Sequence, residues 1–324
     1  MDIMSIKRLF FSLLSAGLVT FGQAPAYADV SFQAKAFLSG AYDPNTGLMR
    51  DDLRAKGYLP TTQPYSIPPF NYSGKETVTS ARLSISDNTA IVDWVLIELR
   101  DKNDNAVVGA QKAVLIQKNG QLYDTTTQSN TINFKGFEPD YYRVSISHRM
   151  HLGVTIPPVL LSESLVNIDF SSPLLTTEGT NAQRNANNIA LLWAGDIDQN
   201  NSITTEGANN ERNHLAAQIL LAETNTKHAM SYRLEGYYNS DLNMDGVTIS
   251  SGPDNDINVL QSTIINHPLN KIGNTNFIVV GKLPVGQVDY LGSSIKSGDL
   301  AAQISTTDLV NEFYKSVDET TFKR

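Results

Sequence analysis

Forty-five residues after Asp196, Asp198, Asn200 and Asn201 the chain carries Asp241, Asn243, Asp245 and Gly246, and the register then continues without a gap. Gly207 returns as Gly252, Asn210 as Asn255, Glu211 as Asp256 and Asn213 as Asn258. Leu215, Ile219 and Leu220 return as Leu260, Ile264 and Ile265, one apolar helix face in each copy. Trp193 or Tyr238 stands three residues ahead of each copy. One acidic loop arises easily by chance. Two in register, each leading into a matched helix, do not.

The spacing has a chemical reason. Calcium takes six to eight oxygen ligands at about 2.3–2.6 Å. Oxygen-bearing side chains at loop positions 1, 3 and 5 let a tightly wound backbone aim three ligands at one centre. These are Asp196, Asp198 and Asn200 in the first loop, and Asp241, Asn243 and Asp245 in the second. Position 6 needs a sharp turn, which Gly246 meets directly and Asn201 tolerates. Position 7 offers a backbone carbonyl, from Ser202 or Val247. An acid at the entry of the following helix, Glu211 or Asp256, completes the shell. Between Trp193 and Pro268 ten Asp or Glu stand against Arg212, Lys227 and Arg233, so most of the chain's net charge of −8 is gathered here. Acids crowded on short loops repel, and a cation relieves them, which predicts folding linked to metal. The alternative is a pair of Asx-rich turns that cap two helices without metal.

The string from Asp241 to Val247, followed by a helix, resembles the calcium loop of dockerin type I repeats. Two tandem loop–helix units are what that family has, and the likeness covers roughly residues 190–268. It departs at the last ligand. Position 12 is Gly207 or Gly252, and the acid comes four residues later. The longer form looks like a variant found in exported bacterial surface proteins described as haemagglutinin-like or dockerin-like. There it follows a β-domain with strings similar to residues 40–43, 48–54 and 92–100 of this chain. The resemblance implies an EF-hand-like pair of calcium sites, and a protein scaffold or a surface glycan as partner.

The rest of the chain gives the frame. Lys7 and Arg8, the apolar run Leu9–Phe21 and the small-residue site Ala26-Tyr27-Ala28 predict a secretory signal over 1–28, cleaved before Asp29. The expected location is therefore periplasmic, cell-surface or extracellular. No later run is apolar for 18 residues, so no membrane span is expected after cleavage. There is no cysteine, which excludes disulfides, a thiol nucleophile and a cysteine zinc site. An acidic balance argues against nucleic acid as a partner.

Residues 29–175 read as short strands between turn signals. Ser31–Leu38, Thr77–Ser86 and Tyr141–His148 alternate polar and apolar residues. Ile91–Leu99 is apolar on both faces, as in a strand covered on two sides. Lys118-Asn119-Gly120-Gln121 is a hairpin turn, and Leu165–Phe170 a last strand. The expected class is mainly β plus α: an N-terminal β-sandwich, with a barrel as competitor, then a small helical domain over 176–270 with two EF-hand-like calcium loop–helix repeats. Residues 271–324 form an extension with a strand near Phe277–Val280 and a helix over Thr306–Val317.

Other clusters are weaker. His148 and His151 lie three apart where an expected strand ends; that offset puts strand side chains on opposite faces, so a turn or packing role is expected rather than a zinc pair. Asp93 and Glu98 are separated by an odd offset of five, which likewise argues against a paired-carboxylate site. Arg50, Asp51, Asp52 and Arg54 are expected to order a long loop by ion pairs. No phosphate loop, nucleophile elbow or His-Glu-x-x-His string occurs. The reading is thus a non-catalytic surface, adhesion-type or accessory protein. A docking module for a cohesin-type scaffold and an extracellular carbohydrate-active enzyme are the alternatives.

Overall fold

The computed structural model describes residues 29–162, 164–207, 209–281 and 283. The expected signal segment, with its Ala26-Tyr27-Ala28 site, and the helix expected over 306–317 lie outside the described residues.

The first part of the chain runs β1 (Val30–Lys35), β2 (Tyr42–Asp43), β3 (Leu48–Met49), α1 (Asp52–Ala55), α2 (Ser80–Leu83), β4 (Ile91–Arg100) and β5 (Val108–Gln117). There follow β6 (Leu122–Tyr123), β7 (Thr131–Phe134), β8 (Asp140–His148), β9 (His151–Thr155), β10 (Val159–Leu161) and β11 (Val166–Asp169). One sheet has the order β11-β1-β7, with β1 parallel to β11 and antiparallel to β7. The larger sheet has the order β10-β8-β4-β5-β6, and β9 also pairs with β8. Phe32, Ile132 and Ile168 of the small sheet share one core with Val95, Ile97, Val114 and Ile146 of the large one.

All ten residues of β4 are buried. Its other face, through Trp94 and Leu96, meets a second cluster with Leu59, Tyr65, Tyr72 and Val78 from the segment between α1 and α2. Tyr65 Oη donates to the Trp94 carbonyl at 2.7 Å, and Trp94 Nε1 donates to the Pro60 carbonyl at 2.9 Å. That cover explains why β4 lacks alternation. Thr77–Ser86, by contrast, is not a strand. Thr79 caps α2 by accepting from the Arg82 amide. From Thr79 to Ser86 no residue is buried, and only Val78 and part of Leu83 reach the second cluster.

The second part runs β12 (Gln183–Ala186), β13 (Ile189–Leu192), β14 (Ser202–Ile203), α3 (Glu211–Leu221), β15 (Leu234–Glu235), β16 (Val247–Thr248), α4 (Asp256–Ile265) and β17 (Val279–Val280). β12 and β13 form a hairpin over Asn187-Asn188, both at positive φ. β13 joins the two parts. The Leu192 amide donates to the Phe37 carbonyl and the Leu152 amide to the Trp193 carbonyl, each at 2.9 Å. The core is continuous across the join: Leu191, Leu215, Ile219, Leu242, Leu260 and Ile264 belong to the same cluster as Phe32. The fold is thus mainly β, with four helices among the described residues. None of those helices is long and apolar enough to cross a membrane.

The repeat extends beyond the sequence match. Asn225 and Asn270, both buried, each donate to a helix carbonyl, Ile219 at 2.8 Å and Ile264 at 2.9 Å. His228 and Gly273 share a positive φ. β15 and β17 then stand at equivalent places, so the second copy runs to about Gly281, past the boundary expected at 270.

Candidate metal centre

Each loop winds its backbone around its own acids. In the first, the amide of Asn201 donates to Asp196 Oδ2 at 3.2 Å, that of Asn200 to Asp198 Oδ1 at 3.2 Å, and that of Ser202 to Asn200 Oδ1 at 2.8 Å. The second repeats this. The amide of Gly246 donates to Asp241 Oδ2 at 2.7 Å, that of Asp245 to Asn243 Oδ1 at 2.9 Å, and that of Val247 to Asp245 Oδ1 at 2.8 Å. Positions 4 and 6 are left-handed in both loops: Gln199 and Asn201, then Met244 and Gly246. Thr204 and Ile249 donate their amides to the helix-entry acids, to Glu211 Oε2 at 2.6 Å and Asp256 Oδ2 at 2.9 Å. Asn210 and Asn255 cap the two helices, accepting from the amides of Asn213 and Asn258.

The first loop brings its carboxylates together. Ligand atoms of Asp196, Asp198 and Glu211 lie within 4.8 Å of one another. Asp196 Oδ1 and Glu211 Oε1 are buried and accept no hydrogen bond. Asp196 is 6% exposed and Glu211 0%. Burial pushes the Asp196 carboxyl up to about 8, and the Asp198 charge adds to this. Burial does the same to Glu211, also to about 8, against the backbone N–H groups that lower it. Asn200 is exposed and its Oδ1 is held by Ser202, so it faces its own turn. Ser202 opens β14.

The second loop is different in kind. Among the described residues Asp241, Asp245 and Asp256 do not form a comparable trio. Both oxygens of Asp256 accept amides, from Leu242 at 2.7 Å and Ile249 at 2.9 Å. Burial takes Asp256 up to about 8. Asp241 rises only to about 6, because the Arg149 charge opposes burial. Basic side chains of the first part grip this loop from outside: Arg50 Nη2 donates to the Asn243 carbonyl and Lys56 Nζ to the Asp245 carbonyl. Gly40 is required beside it, since a Cβ there would stand 2.2 Å from the Leu242 carbonyl oxygen. Val247 opens β16, as Ser202 opens β14.

His214, one turn after Glu211 on α3, was not among the expected site residues. Its Nε2 lies 3.3 Å from Asp198 Oδ2. The offset of three from Glu211 puts both on one helix face, which is the signal that would have found it. The second copy has Val259 there.

These shifts fix a pH dependence for the metal-free protein. From the ordinary carboxylate range near 4 up to about 8, folded Asp196 and Glu211 keep protons that the unfolded chain has lost. Metal-free stability is therefore highest at the acid end of that window and falls as pH rises through it. A cation displaces those protons, so its benefit grows with pH. Thermal melts with calcium and with chelator are expected to lie close at about pH 5 and to separate by about pH 8. Equal separation at both would contradict this assignment.

The remaining clusters resolve clearly. His148 and His151 do not sit on one strand. Arg149 and Met150 turn the chain, so the two histidines pair across the β8–β9 hairpin with Nδ1 atoms 2.8 Å apart. The hydrogen-bond chain fixes their tautomers. The Gly40 amide donates to His151 Nε2 at 3.3 Å, so His151 Nδ1 donates to His148 Nδ1, and His148 Nε2 donates to Asp93 Oδ2 at 3.2 Å. Burial lowers both imidazole pKa values, that of His151 further through the nearby His148 and Arg149 charges. Asp93 also receives Arg149 Nε at 3.2 Å and Tyr237 Oη at 2.6 Å. Burial opposes its charge, yet Arg149 with His148 and Tyr237 holds its carboxyl below the usual range. Glu98 belongs elsewhere, paired with Arg100 at 2.5 Å. Arg50 pairs with Asp52 at 3.1 Å, and Asp51 with Arg54 at 2.5 Å and Lys118 at 3.0 Å.

Comparison with protein-family models and with curated proteins finds no match for this chain.

Proposed function

We propose that this chain is an exported, calcium-binding, non-catalytic protein of surface, adhesion or accessory type. Calcium orders the repeat region as an EF-hand-like pair, and the N-terminal sheets, a β-sandwich on this reading, present the binding surface to a glycan or a protein scaffold. The calcium reading is carried by the gathering of Asp196, Asp198 and Glu211, two of which also keep a buried carboxylate oxygen without a partner, Asp196 Oδ1 and Glu211 Oε1. Leaving such atoms buried and unpaired is costly, and a cation held between them removes that cost. Carboxylate and amide oxygens form a hard donor set, and a wound loop with several such oxygens suits calcium better than the compact octahedron magnesium needs.

Calorimetric titration of residues 29–324 tests this. Two calcium ions are expected, the tighter at the first loop, because Arg149, Arg50 and Lys56 oppose a cation at the second. Asp196→Asn combined with Asp198→Asn should abolish the tighter event. Absence of any calcium binding by the intact chain at neutral pH would overturn the reading.

A further inference from the structure

Neither loop is closed by its own repeat. β14, which holds positions 7 and 8 of the first loop, pairs with β17 of the second repeat, Ser202 with Val280 and Ile203 with Val279. β16, at the same positions of the second loop, pairs with β15 of the first repeat, Leu234 with Thr248 and Glu235 with Val247. The exchange continues at position 6. The Gly281 amide donates to the Asn201 carbonyl at 2.8 Å, and the Gly236 amide to the Gly246 carbonyl at 3.1 Å. Asn201 Nδ2 also donates to the Leu283 carbonyl at 2.7 Å. Contact at Gly281 is tight: a Cβ there would stand 1.9 Å from Asn201 Oδ1.

The connections form a ring. Glu211, an acid of the first loop, opens α3, and the chain from α3 leads to β15, which braces the second loop. Asp256, an acid of the second loop, opens α4, and the chain from α4 leads to β17, which braces the first. A cation in either loop fixes the helix entry that supports the brace of the other. Ordering one loop therefore lowers the ordering cost of its partner, and such linkage is reciprocal.

We propose that the two loops bind cations as a coupled pair, each completed by the strand that follows the other repeat's helix. This rests on the calcium reading above. Val279, Val280, Gly281 and Leu283 are then positioning residues for the first site, although no ligand of that site lies among them.

The experiment uses residues 29–324 and terbium as probe, with luminescence excited through Trp193, which precedes the first loop by three residues. Asp196→Asn identifies the signal as the first loop's. Two variants leave the first loop's ligands untouched: Gly281→Ala, and Asp241→Asn with Asp245→Asn. Each is expected to weaken terbium at the first loop by about tenfold, a coupling of ordinary size. The second variant, near-isosteric, decides the matter even where Gly281→Ala fails to fold. A single ion bound by the intact chain, or a first loop indifferent to the second-loop substitutions, would overturn the coupling and leave the calcium reading standing. An intact chain that takes up no cation would overturn both.

Discussion

In chelator, residues 29–324 are expected to melt several degrees below the same protein in saturating calcium. Each site filled at a hundred times its Kd contributes about 2.7 kcal/mol. For a chain of this size that moves Tm by roughly 4 °C per site. The cause lies in the first loop, where burial without a cation holds Asp196 and Glu211 near a pKa of about 8. Asp196→Ala should erase most of the first loop's share, because it removes the carboxylate whose Oδ1 has no partner. Neutral substitution should also make the metal-free protein less sensitive to alkaline pH, since a buried charge is gone. Scanning calorimetry with calcium and with chelator gives both results. Superimposed melts at neutral pH would sink the claim.

Asp93→Asn is expected to cost about 3–5 kcal/mol, the loss seen when one partner of a buried ion pair is removed. Asp93 is 0% exposed and is the shared acceptor of His148, Arg149 and Tyr237. Without its charge, Arg149 stays buried with no compensating anion at 3.2 Å, and its guanidinium still lies 4.0 Å over the Tyr237 ring. The damage therefore reaches both parts of the fold, because Tyr237 belongs to the repeat region and Asp93 to β4. Adding Arg149→Met to Asp93→Asn should recover part of the loss, since it is the stranded charge that is expensive. Urea unfolding measures it through the midpoint at unchanged slope. A single variant that unfolds at the original midpoint would show that the network contributes nothing net.

The sequence made some features plain for physical reasons. Ile91–Leu99 was legible because nine successive buried positions, continued by Arg100, leave no room for polar alternation. The loops and helices were legible because oxygen ligands, a turn residue and an apolar face each demand particular side chains. The second half of each repeat was not. There the likeness is carried by backbone shape, with His228 and Gly273 sharing a positive φ and Leu234-Glu235 matching Val279-Val280 in pairing only. The His148–His151 contact was hidden because Arg149-Met150 carries none of the residues that usually announce a tight turn. Thr77–Ser86 misled in the opposite way: Thr77 bridges Thr62 and Val78 enters the second cluster, but from Thr79 to Ser86 no residue is buried.

Arg50 and Lys56 reach carbonyls that lie 193 and 189 residues further along the chain. The charged loop around α1 therefore reaches its finished form only once the second acidic loop has docked against it. Bringing together segments so far apart in sequence carries a larger closure cost than local pairing and slows folding. Final docking of that loop is thus a non-local event that pairing between neighbouring strands does not complete.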